Sequence, residues 1–191
     1  YKLEDMPDHW EIAGILGEIG KYVDENNMRI TSHPGPFNVL TSPHEHVVEN
    51  CIKDLSIHGE VFDMMGLSRT PYNKINIHIG GAYGDKVSAM ERFCTNFHRL
   101  PDSVKTRLTV ENDDKATMYS VKDLYEGVYC KIGIPIVFDY HHHRFCDGGL
   151  SEEDALEVAI STWGNIVPVV HYSESRNIEQ EDDKIRPQAH S

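Results

Sequence analysis

Arg107-Leu108-Thr109-Val110-Glu111, then a stretch of helical spacing at about 120–131, then Ile134-Pro135-Ile136-Val137-Phe138-Asp139: this strand–helix–strand reading decides the fold. Both runs are short and mostly apolar, as strands covered on two faces are. Working outward, similar runs recur as Met28-Arg29-Ile30-Thr31-Ser32, Lys74-Ile75-Asn76-Ile77-His78 and Val167-Pro168-Val169-Val170-His171. Helical spacing fills about 9–26, 45–66, 85–100 and 151–163. In the second of these, Val47, Val48, Cys51, Leu55, His58, Phe62 and Met65 step by three or four residues, the mark of one buried stripe. Ser151, followed by Glu152, Glu153 and Asp154, opens the last helix with a capping side chain and acids suited to its dipole. Repeated βα units of roughly thirty residues mean a parallel sheet.

Such a sheet is either doubly wound or bent into a (β/α)8 barrel. A closed barrel usually runs to about 250 residues, and this chain has 191. The expected fold is α/β: an incomplete TIM-type barrel of about five βα units. It is read as one partial domain over 1–191, with N-terminal strands and a final strand missing. Hydrophobic residues make 39% and charged residues 26%, as in ordinary globular folds. A net charge of −13 argues against a broad basic face. No apolar run approaches the roughly 20 residues of a membrane span, and no secretory leader opens the chain. Cys51, Cys94, Cys130 and Cys146 form no close pair and read as reduced thiols. The charged run from Glu179 to Lys184 reads as a solvated loop.

The strands end in His33, His78, Glu111, Asp139 and His171. The carboxyl ends of parallel strands form the functional rim of such folds. His, Asp and Glu are 43 of the 191 residues, so five such endings in succession exceed chance. Imidazoles mixed with carboxylates suit zinc, manganese or iron better than magnesium or calcium. Tyr140-His141-His142-His143 adds donors beyond the fourth strand, more than one ion needs, and a cluster of ions is the arrangement that clamps a phosphoryl group. Other histidines read more plainly: His58 as a core residue on its stripe, and His9, His44, His46 and His98 as helix-surface or capping residues. No Gly-x-Ser-x-Gly elbow supports a serine nucleophile. The glycines from Gly80 to Gly84 lack the Walker pattern and are a weak phosphate signal.

Four motifs in order then carry a resemblance: Ser32-His33-Pro34-Gly35-Pro36-Phe37, Ile77-His78-Ile79-Gly80-Gly81 with Gly84-Asp85-Lys86, Arg107 to Asp114, and Phe138-Asp139-Tyr140-His141-His142. From about residue 10 onward the chain resembles the UV damage endonucleases, relatives of endonuclease IV. The resemblance implies a barrel holding two to three divalent ions, manganese foremost, with zinc, cobalt or magnesium as alternatives. It implies hydrolysis of the phosphodiester 5′ to ultraviolet photoproducts in double-stranded DNA. Its implied metal ligands are His33, His78, Glu111, Asp139, His142, His171 and His190, with Glu111 bridging two ions and Glu111, His78 and Asp139 as catalytic residues. Phe37 and Pro36 would meet DNA; Lys86 and Arg144, each just past a strand end, read either as phosphate contacts or as ordinary surface cations. No membrane and no obligatory protein partner are implied, and the expected location is the cytoplasm or wherever the DNA lies, without secretion.

Two departures stand out. Pro36 occupies a position where the family commonly has Gln, which removes a hydrogen-bonding probe but leaves Phe37 as a stacking wedge. Val169 stands where some relatives carry Lys, which implies a weaker third ion. The alternatives are a metal-dependent sugar isomerase or epimerase on the same barrel, and a truncated copy that binds damaged DNA without cutting. The isolated chain is expected to be a poor enzyme, since open sheet edges and an absent ligand would leave the site loose.

Overall fold

Backbone hydrogen bonding and burial set where each strand begins and stops. The computed structural model describes residues 3–191. In chain order its elements are helices α1 (His9–Glu25) and α2 (Glu45–Met64), strand β1 (Ile75–Ile77), helices α3 (Lys86–Phe97) and α4 (Asp102–Lys105), and strand β2 (Leu108–Glu111). Helix α5 (Val121–Leu124) continues through a π-helical turn at Tyr125–Tyr129 into α6 (Cys130–Ile132). Strand β3 (Ile136–Asp139), helices α7 (Tyr140–His143) and α8 (Glu152–Ser161), strand β4 (Val170–His171) and helix α9 (Arg176–Glu179) follow. The four strands pair in sequence order, all parallel. Ile75 sits opposite Leu108, Val110 opposite Ile136, and Asp139 opposite His171. The sheet is an arc of a (β/α) barrel, as the alternation predicts.

The two faces of the sheet differ. Ile75, Ile77, Leu108, Val110, Ile136 and Phe138 join the hydrophobic core with Leu55 and Phe62 of α2, Phe93 of α3 and Ala155 of α8. The alternate residues Asn76, Thr109, Glu111 and Asp139 are buried on the other face, which is polar. Arg29 links the two ends of the arc: its Nη1 donates to the Val167 carbonyl at 2.7 Å, tying the start of the first run to the approach of β4. At the other end of the same strands, the rings of His33 and His171 lie 6.1 Å apart. The arc thus curls until its first and last members meet.

Three expectations need correction. The run 28–32 forms no full strand: Ser32 alone bridges to Ile75, with Ser32 N–H donating to Lys74 and Asn76 N–H to Ser32. The run 167–171 shrinks to Val170–His171, partly exposed. Both lie at the open edges of the arc, where neighbours supply hydrogen bonds from one side only. The helix at 120–131 is broken by its π turn, where a side chain on Gly127 would collide with Met90 of α3. The Ser151 cap is present, its hydroxyl accepting from Asp154 N–H at 3.1 Å. Gly80, at φ +108, sits where a Cβ would strike Thr41 and Val39, so this glycine serves close packing.

Candidate metal centre

Glu111 closes β2 on the polar face and is 2% exposed. Thr109 Oγ1 donates to Asn76 Oδ1 at 2.8 Å, which turns the Asn76 amide so that its Nδ2 donates to Glu111 Oε2. Imidazoles complete the surround: His171 Nδ1 is 3.0 Å and His33 Nε2 3.3 Å from Oε2, and His142 Nδ1 is 3.5 Å from Oε1. Burial pushes the Glu111 carboxyl up, but the contacts from His171 and His33 outweigh it and hold the group well below the usual carboxylate range.

Asp139 ends β3 and caps the short α7, its Oδ1 accepting from His142 N–H at 2.8 Å. Asn112 pins that strand end from β2: its Oδ1 accepts from Asp139 N–H at 2.8 Å, and its Nδ2 donates to the Asp139 carbonyl at 3.0 Å. The His142 ring is oriented by the Asn112 carbonyl, 2.8 Å from Nδ1, so that nitrogen carries the hydrogen and Nε2 offers its lone pair. That Nε2 lies 2.8 Å from Nε2 of His190, whose Nδ1 is 2.6 Å from Ser173 Oγ. Two ring nitrogens converging with their far sides already partnered are what a shared cation satisfies.

Three donor groups follow, each with its ligand atoms within 4.8 Å of one another: His33, His78 and Glu111; Glu111, Asp139 and His171; and Asp139, His142 and His190. Glu111 belongs to two of them, and so does Asp139. All seven expected ligands line one cavity of about 350 Å³, together with Tyr172 and Ser173. The donor set, imidazoles mixed with carboxylates, fits divalent transition ions.

The expected DNA-contacting residues are spread more widely. Phe37 is 88% exposed on the rim. Pro36 lines a neighbouring cleft of about 580 Å³ between the loop at Pro34–Val39 and that at Asp113–Met118. Lys86 is held by Asp123 at 2.9 Å, and Arg144 by Glu174 at 3.4 Å, so both expected phosphate contacts are engaged elsewhere. His58 is not a core residue: it is half-buried, its Nδ1 2.9 Å from Ser32 Oγ. Of the three adjacent histidines only His142 joins a donor group, while His141 is buried against Phe145 and His190.

Residue-by-residue reading missed three side chains besides Asn76. Asp113 places Oδ1 3.0 Å from His78 Nδ1. Asn112 and Lys74 are the others; the Lys74 ammonium is buried 3.4 Å from His171 Nε2, and burial lowers its pKa to about 8. A signal existed for each: Asn112 and Asp113 follow Glu111 directly, and Lys74 shares the two-residue period of Asn76 and His78.

The sequence family described as UV-endonuclease UvdE matches residues 6–190. The chain is 42% identical over 163 residues to a UV DNA damage endonuclease of Bacillus cereus (strain Q1), covering 83% of this chain and 49% of that protein. With the enzyme of the same name from Bacillus mycoides (strain KBAB4) it shares 40% over 169 residues, 86% and 51% of the two chains. The chain therefore spans about half the length of these curated relatives. The crystal structure of SacUVDE superposes with a TM-score of 0.84 at 37% identity, over 95% of this chain and 58% of that one. D-psicose 3-epimerase from Clostridium cellulolyticum H10 superposes at 0.59 with 15% identity, over 83% and 57%, a likeness of fold alone.

Proposed function

The chain belongs to the UV-endonuclease family, and from that membership we propose that it carries the metal-binding part of an enzyme hydrolysing DNA on the 5′ side of ultraviolet photoproducts. The observation that supports this most is the shared use of Glu111 and Asp139 by three donor groups at one strand-end rim. Divalent ions held there would supply a water acidified towards neutrality and positive charge for the phosphate. His33, His78 and Glu111 would hold one ion, Glu111, Asp139 and His171 a second, and Asp139, His142 and His190 a third. Asn76 and Asn112 would fix the two bridging carboxylates in place. Phe37 projects from the rim where a ring can stack against unstacked bases. Lys86 and Arg144 would reach phosphates by exchanging Asp123 and Glu174 for them.

The test is nicking of supercoiled plasmid, irradiated or intact, with manganese, zinc, cobalt or magnesium supplied in turn. The expected result is metal-dependent nicking confined to irradiated plasmid, with ends mapping 5′ to dipyrimidines. Bound ions without any nicking or preference for irradiated DNA would overturn the endonuclease reading. A chain that takes up no divalent ion would overturn the metal reading.

A further inference from the structure

We propose that Asp113 is a positioning residue for His78, holding the imidazole in the Nδ1–H form so that Nε2 is the nitrogen offered to an ion. The proposal rests on the reading of the rim as a metal centre and adds a residue that no donor group contains. Asp113 is 8% exposed, an expensive place for a carboxylate unless it has partners. Its backbone N–H donates to the Tyr119 carbonyl at 2.9 Å, and Tyr119 N–H donates back to Asp113 Oδ2 at 3.2 Å. Tyr119 is itself anchored, its hydroxyl donating to the Gly81 carbonyl at 3.2 Å. This closed loop fixes the carboxylate plane and leaves Oδ1 directed at His78, 3.0 Å from Nδ1. The contact has hydrogen-bonding distance, while its angle falls short of a hydrogen bond with the ring as placed.

The chemistry follows from what each atom can do. An ionised carboxylate only accepts, so the ring nitrogen facing it must carry hydrogen. A neutral imidazole has one N–H, so its Nε2 is then a free lone pair. Ligating histidines characteristically have their second nitrogen held in this way, and losing the outer partner costs about 10- to 100-fold in metal affinity. Two other histidines of the centre are oriented by uncharged groups: His142 faces a backbone carbonyl and His190 a hydroxyl.

Asp113→Asn discriminates this role from a structural one. Tyr119 N–H still needs an acceptor, so the asparagine oxygen goes there and its amide N–H₂ faces His78 as a donor. The ring must then present its lone pair at Nδ1 and its hydrogen at Nε2. Two readouts apply: the ¹⁵N tautomer pattern of His78 in metal-free protein, read at the alkaline end of the ring's own titration, and manganese affinity by equilibrium dialysis. The expected result is Nδ1–H in the parent chain, Nε2–H in Asp113→Asn, and a 10- to 100-fold loss of affinity for one ion at unchanged melting temperature. An Nε2–H parent, an unmoved tautomer in the variant or an unchanged affinity would each overturn the proposal. Neither readout involves DNA, so a chain that fails to nick leaves the inference standing. A parent chain that binds no ion sinks the metal reading, while the tautomer still decides whether Asp113 holds the ring.

Discussion

Glu111→Gln tests the centre where its parts are most tightly joined. The substitution keeps the shape of the side chain, and a glutamine oxygen can still accept from Asn76, so the fold has no reason to fail. What disappears is one negative charge and one strong ligand, replaced by an amide whose N–H₂, with the oxygen kept on Asn76, faces His142. Glu111 serves two of the three donor groups, leaving two donors in each; the third group, Asp139, His142 and His190, does not use it. Removing an outer partner of a ligand already costs about 10- to 100-fold, so removing the ligand itself should exceed ~100-fold, or about 2.7 kcal/mol, at each of two sites. Equilibrium dialysis against a few equivalents of manganese, with elemental analysis of the protein, should therefore show a fall from three bound ions to one. A fall by a single ion would show that Glu111 is not shared. Loss of all three would show that the groups fill as one unit, and unchanged stoichiometry would refute the centre as described.

Three further outcomes follow from the packing. Arg107 is fully buried, its guanidinium donating to the carbonyls of Ser68, Leu67 and Ser103 and to Asp63 Oδ1, so Arg107→Met should cost about 3–5 kcal/mol in urea unfolding. Burial pushes the Asp63 carboxyl up, but the bonds from Arg69 and Arg107 outweigh it and hold the group below its ordinary value. Its contribution is present above the unfolded value of about 3.9 and is lost as pH falls through the lower folded value; Arg107→Met should flatten that acid limb, and an unchanged limb would show the pair to be idle. Phe37→Ala should leave stability within about 0.5 kcal/mol while reducing the preference for irradiated over intact DNA, and a large drop in melting temperature would show the ring to be packed. On α1, a methyl at Gly20 would lie 1.7 Å from the Met65 carbonyl oxygen, whereas Gly17 faces open space; Gly20→Ala should lose about 1–3 kcal/mol and Gly17→Ala should gain about 1 kcal/mol, measured by thermal unfolding.

The fold was legible where packing repeats a local pattern. β2 and β3 pair in the centre of the arc and lie where their runs place them, because the helix-covered face demands apolar residues at Leu108, Val110, Ile136 and Phe138. The edge runs share the composition but not the neighbours, so 28–32 reduces to one bridge and 167–171 to two residues. Propensity states what a segment tolerates, and hydrogen-bonding partners decide whether it becomes a strand. The π turn was equally illegible: Gly127 within it packs against Met90 on another helix, and no spacing within 120–131 encodes that contact.

The candidate site was legible through its strand ends, and its supporting shell was not. A ligand-type residue after an apolar run is visible one position at a time, and the five read in this way line one cavity with His142 and His190, which the resemblance supplied. Support is relational: Asn112 matters because its side chain spans two strands, and Asp113 because a turn closed by Tyr119 aims it at β1. The consecutive residues Glu111, Asn112 and Asp113 thus face three different structures: imidazoles in the barrel mouth, the end of β3, and His78 beyond β1. Consecutive residues can diverge so sharply only where a strand has just ended and its alternation is broken. Support of this kind is therefore to be sought in the first residues after a strand, where an acid or amide need not touch the ion to decide how well the ligands hold it.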